Sequence, residues 1–196
     1  EMVNILSVRQ KRQLGLGHAV LCARELVGDE PFAVMVGDDL MFSGVPGIGQ
    51  LIEVAMAEKM PVIGVMEVPW EKVSRYGIID GEEVAPGVYR VRDMVEKPKR
   101  EDAPSRMAIM GRYVLTSAIF DILANTAPGR NNEIQLTDAL QAMAKDRGMM
   151  AVRMAGMRFD AGDWAEFLSA NIYFALQDES LRYELLGLLK NFVQFK

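Results

Sequence analysis

Apolar positions recur along this chain with two different periods. Residues 16–27 carry them at helical spacing, and Pro31 then opens the run Pro31-Phe-Ala-Val-Met-Val-Gly-Asp-Asp-Leu40. Five apolar residues that lead into a glycine and two carboxylates predict a strand buried on both faces of a parallel α/β sheet, its acids at the carboxyl end where such sheets bind ligands. A Gly- and Pro-containing loop near 43–47 then leads into a predicted helix over 50–59 and a strand over 62–68. Alternation of helix and strand is the rhythm of a doubly wound layer. From Tyr76 the period becomes two: Gly77-Ile-Ile, the turn signal Asp80-Gly81 and the alternating residues 88–95 predict an antiparallel hairpin. Residues 97–105, with two prolines and mixed charge, read as a solvent loop, and 108–115 as another strand. Thr116 or Ser117 can cap a helix to residue 124, and Thr137 can cap one to residue 146 that Gly148 closes. A strand over 149–154 and two helices over 164–176 and 181–192 complete the pattern.

Composition narrows the class. With 196 residues, half of them hydrophobic, the chain can bury a substantial core as one domain, or one domain plus an extension. Its formal charge of -5 leaves no electrostatic footprint for nucleic acid or an anionic membrane. Cys22 is the single cysteine, so neither a disulfide nor a thiolate metal site is available, which suits a reducing compartment. No apolar run approaches the roughly 18 residues of a spanning helix, and no secretory pattern opens the chain. A cytoplasmic location is the expectation.

Several residues can carry chemistry. Asp38 and Asp39 suit a metal or phosphate role, or alternatively a turn after a strand. Gly15 and Gly17 stand just before a helix, where free backbone N–H groups favour an anion or a base carbonyl, although a tight turn needs the same residues. His18 is the only histidine and has no second ligand at zinc spacing. In Val95-Glu96-Lys97-Pro98 an acid that can accept from sugar hydroxyls adjoins a base that can neutralise a phosphate; a solvated charge cluster is the alternative, since Lys99 to Asp102 continue the run. Asp160 adds a carboxylate at a predicted strand end, or a cap for the helix beginning at Trp164. The many methionines read as core filler.

In order along the chain, Arg9-Gln10 with Leu14-Gly-Leu-Gly-His-Ala19, Val36-Gly-Asp-Asp-Leu40, Tyr76-Gly-Ile-Ile, Val95-Glu-Lys-Pro, Gly111-Arg-Tyr-Val-Leu, Ile119-Phe-Asp, Glu133-Ile-Gln-Leu-Thr-Asp-Ala and Arg158-Phe-Asp-Ala-Gly resemble the bacterial UTP:glucose-1-phosphate uridylyltransferases of the sugar-phosphate nucleotidyltransferase superfamily. This resemblance implies a Rossmann-like mixed α/β sheet of the nucleotidyltransferase type flanked by helices, with a small antiparallel β element and C-terminal helices. It implies Mg²⁺-dependent, in-line attack of glucose 1-phosphate on the α-phosphate of UTP, giving UDP-glucose and pyrophosphate. By similarity, Gln10 and Gly15 contact uracil, Asp38 and Asp160 hold the metal, and Gly77, Glu96 and Lys97 hold the sugar and its phosphate, with Tyr113 close by. Asp38 and Lys97 would then be the catalytic pair. The phosphate oxygen is already an anionic nucleophile, so alignment and charge screening suffice.

Two departures qualify the resemblance. The family's glycine-rich loop of the type Gly-x-Gly-Thr-Arg is not among these residues, so the chain resembles the later two-thirds of the enzyme and is expected to be impaired on its own. Trp164 stands where relatives commonly place a lysine after the Asp-x-Gly turn. The expected organisation is a partial nucleotidyltransferase domain over 1–177 and a helical extension over 178–196. A sister enzyme using dTTP or another sugar phosphate is the alternative within the same chemistry. A noncatalytic binding or assembly module is the alternative outside it, because the apolar stripe from Leu181 to Leu189 can dock a second subunit and make a homo-oligomer.

Overall fold

The computed structural model describes residues 3–193, so residues 1–2 and 194–196, the outer ends of the two expected regions, lie outside the described residues. The described chain forms two compact units: one holds the residues up to Met35 together with Val45–Ala155, the other Val36–Gly44 together with the residues from Gly156 onward. The boundary cuts the apolar run that the sequence reads as one buried strand. Here it is two strands, β1 (Phe32–Met35) in the first unit and β2 (Asp39–Phe42) in the second, joined by a turn in which Asp39 N–H donates to Val36 O at 3.3 Å.

In the first unit a six-stranded sheet runs in the order β1-β6-β3-β7-β5-β4, with β3 at Val62–Glu67, β4 at Gly77–Ala85, β5 at Val88–Glu96, β6 at Met107–Leu115 and β7 at Met150–Arg153. The sheet is mixed, as expected, but only β3 and β7 pair in parallel among the described residues. β1 lies at the sheet edge, antiparallel to β6, with Ala33 and Met35 exposed. An apolar run signals burial without saying on how many sides, and an edge strand satisfies it with one. The run buried on both faces is instead the first part of β3, where Val62, Ile63 and Val65 are 0% exposed.

Helices cover this sheet. The segment read as one helix over 16–27 forms α1 (Leu16–Leu21) and α2 (Arg24–Val27), while α3 spans Gly47–Glu58 and α4 Ala118–Asn125. α5 (Leu136–Arg147) buries Leu136, Ala139, Leu140 and Met143 at the i, i+3, i+4, i+7 spacing of one helix face and packs against β5. The β4–β5 hairpin turns at Pro86-Gly87, not at Asp80-Gly81, where the register shifts instead. Proline presets φ for the first turn position and Gly87 takes a φ of 74°, so the pair outcompetes Asp-Gly for the reversal.

In the second unit β2 pairs antiparallel with β8 (Met157–Asp160), bringing Asp39 opposite Asp160. Phe42, Phe159, Tyr173 and Phe174 form a connected aromatic cluster against α6 (Trp164–Gln177). Asp163, and not Asp160, caps α6 by accepting from Ala165 N–H at 3.0 Å and Glu166 N–H at 3.3 Å. α7 (Glu179–Val193) follows after Asp178 and leaves Leu181, Tyr183, Leu188 and Phe192 exposed. Among the described residues no helix is long and apolar enough to cross a membrane.

Candidate functional site

The end of the β4–β5 hairpin builds a cavity in the first unit. Gly77 and Glu96 are paired across the two strands, and Lys97 leaves β5 by donating its backbone N–H to Tyr76 O at 3.0 Å. Lys97 takes a left-handed φ of 45°, uncommon for a residue with a side chain and a conformation that the surrounding structure must hold. Its Nζ lies 3.4 Å from Glu96 Oε1, while Thr137 Oγ1 donates to Glu96 Oε2 at 2.7 Å. Gly77, Glu96, Lys97 and the buried Tyr113 from β6 line one cavity of about 260 Å³, together with Arg75, Glu133 and Thr137. All four residues read from the sequence as the sugar side are therefore gathered around one space. A second recess of about 310 Å³ opens on the other flank of Glu96, against Gln135, Asp138 and Gln141.

Gln10 and Gly15 are also brought together, beside this cavity. Gln10 Nε2 donates to Gly15 O at 3.0 Å and lies 2.9 Å from His18 Nδ1. An amide nitrogen only donates, so His18 Nδ1 is the acceptor and the Gln10 carboxamide is held by two bonds within its own segment. Gly15 has a φ of 91°, and a Cβ there would stand 2.8 Å from Glu133 Cβ and 3.0 Å from Ile134 O. The tight-turn reading of this glycine thus has a physical cause, since the turn presses the backbone onto the loop that lines the cavity. Gly17 N–H donates to Ile134 O at 3.0 Å and Ile134 N–H to Leu14 O at 2.7 Å, which pins the segment there.

The acids lie in the second unit. Asp39 is 6% exposed and its Oδ1 accepts from Arg158 Nε at 2.8 Å, whereas Asp38 faces solvent. The two adjacent aspartates are not interchangeable. Asp38 and Asp160 both face Gly162: a Cβ on that glycine would meet Asp160 Oδ1 at 3.1 Å and Asp38 Oδ2 at 3.5 Å. Backbone bonds fix the approach, with Ala161 N–H donating to Asp38 O at 2.7 Å and Gly162 N–H to Asp160 Oδ1 at 3.0 Å. Two carboxylates converging on a point kept open by a glycine suit a divalent cation that takes its other oxygens from phosphates and water. Among the described residues no group of three or more His, Cys, Asp or Glu side chains gathers to hold a metal, here or elsewhere.

Thr137 and Arg158 are partners that sequence reasoning did not assign. Its place in the sequence suggests a helix cap, but Thr137 occupies the second position of α5, whose cap residue Gln135 makes no side-chain cap bond, and its hydroxyl goes to Glu96. The signal for Arg158 was its place in the Arg158-Phe-Asp-Ala-Gly motif, two residues before Asp160 and so on the same strand face. Trp164 is 86% exposed and packs edge-on against Phe167, so it brings no charge to the turn.

The family model described as nucleotidyl transferase matches residues 1–176. The chain is 48% identical over 190 residues to UTP–glucose-1-phosphate uridylyltransferase 2 of Staphylococcus saprophyticus, covering 97% of this chain and 66% of that protein. It superposes with a TM-score of 0.83 on a UDP-glucose pyrophosphorylase crystallised with UDP-glucose, at 46% identity over 85% of this chain and 64% of the other. A UTP-bound enzyme of the same kind from Acinetobacter baumannii gives a TM-score of 0.85 at 36% identity, covering 95% and 65%. The chain therefore spans just under two thirds of the length of these relatives. With a family match that extends over most of its length, the chain belongs to the nucleotidyl transferase family.

Proposed function

We propose that the polypeptide carrying this chain transfers uridylyl from UTP to glucose 1-phosphate, releasing pyrophosphate and forming UDP-glucose. The observation that carries the reading is the shared cavity of Gly77, Glu96, Lys97 and Tyr113 in a chain so similar to uridylyltransferases. Glu96 accepts from sugar hydroxyls, and Lys97 offsets the sugar phosphate while it is aligned for attack. With Gln10 Nε2 engaged by Gly15 and His18, its Oε1 is the atom that accepts from a uracil N3–H. Asp38 and Asp160 hold the metal, taken here as Mg²⁺, which when bound screens the charge gathering on the phosphates. Arg158 keeps Asp39 out of that pair. A cytoplasmic location accords with a substrate pair drawn from metabolism.

Pyrophosphate release by the intact polypeptide, with UTP and glucose 1-phosphate in Mg²⁺, tests the reading. Turnover that disappears with EDTA and falls at least 100-fold in Lys97→Ala is expected; no release with glucose 1-phosphate refutes it. Substituting dTTP and other sugar phosphates identifies a sister enzyme. Self-association through the exposed stripe of α7 is proposed from its exposed Leu181, Leu188 and Phe192. A strictly monomeric mass at high concentration rules that out.

A further inference from the structure

Glu96 stands between two spaces. It lines the cavity shared with Lys97 and Gly77 and also the recess that contains Asp138. A glutamate has three rotatable bonds, so its carboxylate needs a fixed partner to hold one orientation. That partner is Thr137, 9% exposed, whose hydroxyl takes Glu96 Oε2 at 2.7 Å and leaves Oε1 on the Lys97 side at 3.4 Å. Space for Thr137 comes from Gly77: a Cβ there would stand 2.9 Å from Thr137 Oγ1 and 3.2 Å from its Cγ2. Serine and threonine in a first helical turn usually serve the helix end. This hydroxyl does not; it is directed across to β5.

We propose that Thr137 is a positioning residue that holds the Glu96 carboxylate toward the sugar cavity, and that Gly77 is a glycine in part because Thr137 must fit against it. The inference deepens the sugar-phosphate reading above and rests on it. Asp138 supplies the counter-pressure. Burial and then the nearby Glu96 raise its pKa above the ordinary carboxylate value, so the recess already disfavours negative charge. Holding Glu96 by Oε2 keeps its other oxygen directed to the cavity at no cost to the sheet.

The test compares Thr137→Val, which keeps the shape and removes the donor, with Thr137→Ser, which keeps the donor, in the intact polypeptide. Thr137→Val is expected to raise KM for glucose 1-phosphate about tenfold, the equivalent of one ion-assisted hydrogen bond, with KM for UTP within twofold. Thr137→Ser is expected within threefold of wild type on both. Thr137→Ala serves if the valine variant does not fold. An activity-free reading comes from the crystal structure of Thr137→Val, in which Glu96 Oε2, without its donor and beside a recess that disfavours charge, is expected to leave the position it holds here and lose its single orientation. An unmoved Glu96, an unchanged KM for glucose 1-phosphate, equal effects on both substrates, or a serine variant as poor as valine each overturns the proposal. If wild type turns over UTP only with a different sugar phosphate, the glucose assignment fails, and the same comparison on that sugar still decides the role of Thr137.

Discussion

Replacing Asp39 by asparagine removes one charge from a pair in which the two side chains are only 7% and 13% exposed. Losing one partner of a buried pair costs roughly 3–5 kcal/mol, chiefly because the other charge is left without compensation. Arg158 is not wholly abandoned, since its Nη2 lies 3.8 Å from Asp160 Oδ2 and can close on it. That residual attraction recovers about 1 kcal/mol at a partly hydrated site, so the expected loss is about 2–4 kcal/mol. For a chain of this length that is a fall in Tm of about 4–16 °C. Thermal denaturation followed by far-ultraviolet circular dichroism measures it, in a cycle with Arg158→Met and the double variant. The pair should show a coupling of about 2 kcal/mol, with the double variant more stable than the sum of the two single losses implies. A second consequence would reach the proposed metal site: with Asp39 neutral, Arg158 closes on Asp160, and the Mg²⁺ concentration for half-maximal turnover by the intact polypeptide is expected to rise. Additive losses, or an Asp39→Asn variant within about 0.5 kcal/mol of wild type, would refute the assignment of Asp39 as the structural and Asp38 as the functional aspartate.

Other perturbations follow from the same geometry. Asp93 accepts from Met94 N–H at 2.9 Å, from Gln141 Nε2 at 2.7 Å and from Lys145 Nζ at 3.2 Å, and these bonds, led by that of Met94, hold its pKa below the ordinary carboxylate range. A depressed carboxylate stabilises the fold above its unfolded pKa, and that stability is lost as pH falls through the folded value. Asp93→Ala should therefore cost about 1 kcal/mol at pH 7, with its melting difference from wild type closing in strong acid; a difference that persists undiminished there contradicts the ionic origin. Gly156 has a φ of 131°, and an added Cβ would stand 2.6 Å from Ser43 Cβ and 2.7 Å from Phe42 O, whereas at Gly28, with a φ of 63°, nothing lies within 4 Å. Gly156→Ala is expected to cost about 3 kcal/mol and Gly28→Ala about 1 kcal/mol. Equal melting losses at the two positions would show that backbone conformation, not crowding, sets both.

Local pattern carried the elements whose signals are local. The apolar spacing of α5, the unbroken run of β3 and the alternation of β5 were all legible, because each is a property of adjacent residues. What failed depended on competition between signals. Asp80-Gly81 and Pro86-Gly87 both offer a reversal, and only the cross-strand pairing chose the second. Asp160 and Asp163 both suit a helix cap, and Asp160 was already committed to β8 opposite Asp39. At the site, ordered motifs named the residues but not their partners. That Asp39 turns inward to Arg158 while Asp38 faces out, and that Thr137 serves Glu96, are facts about residues 119 and 41 positions apart. Periodicity holds no information over such distances.

The short reciprocal clasp between Leu14, Gly17 and Ile134 joins positions separated by more than half of the chain. Its consequence lies in the order of assembly. During synthesis the segment carrying Gln10 and Gly15 emerges early, yet its clasp waits until Ile134 has left the ribosome, by which time β3, β4, β5 and β6 are available to pair. Closing so long a loop costs little more entropy than closing one half its size, but it delays the contact. The segment of Gln10 and Gly15 is thus among the last parts of the first unit to set, and a chain interrupted before Ile134 would hold most of a sheet and leave this segment without its anchor.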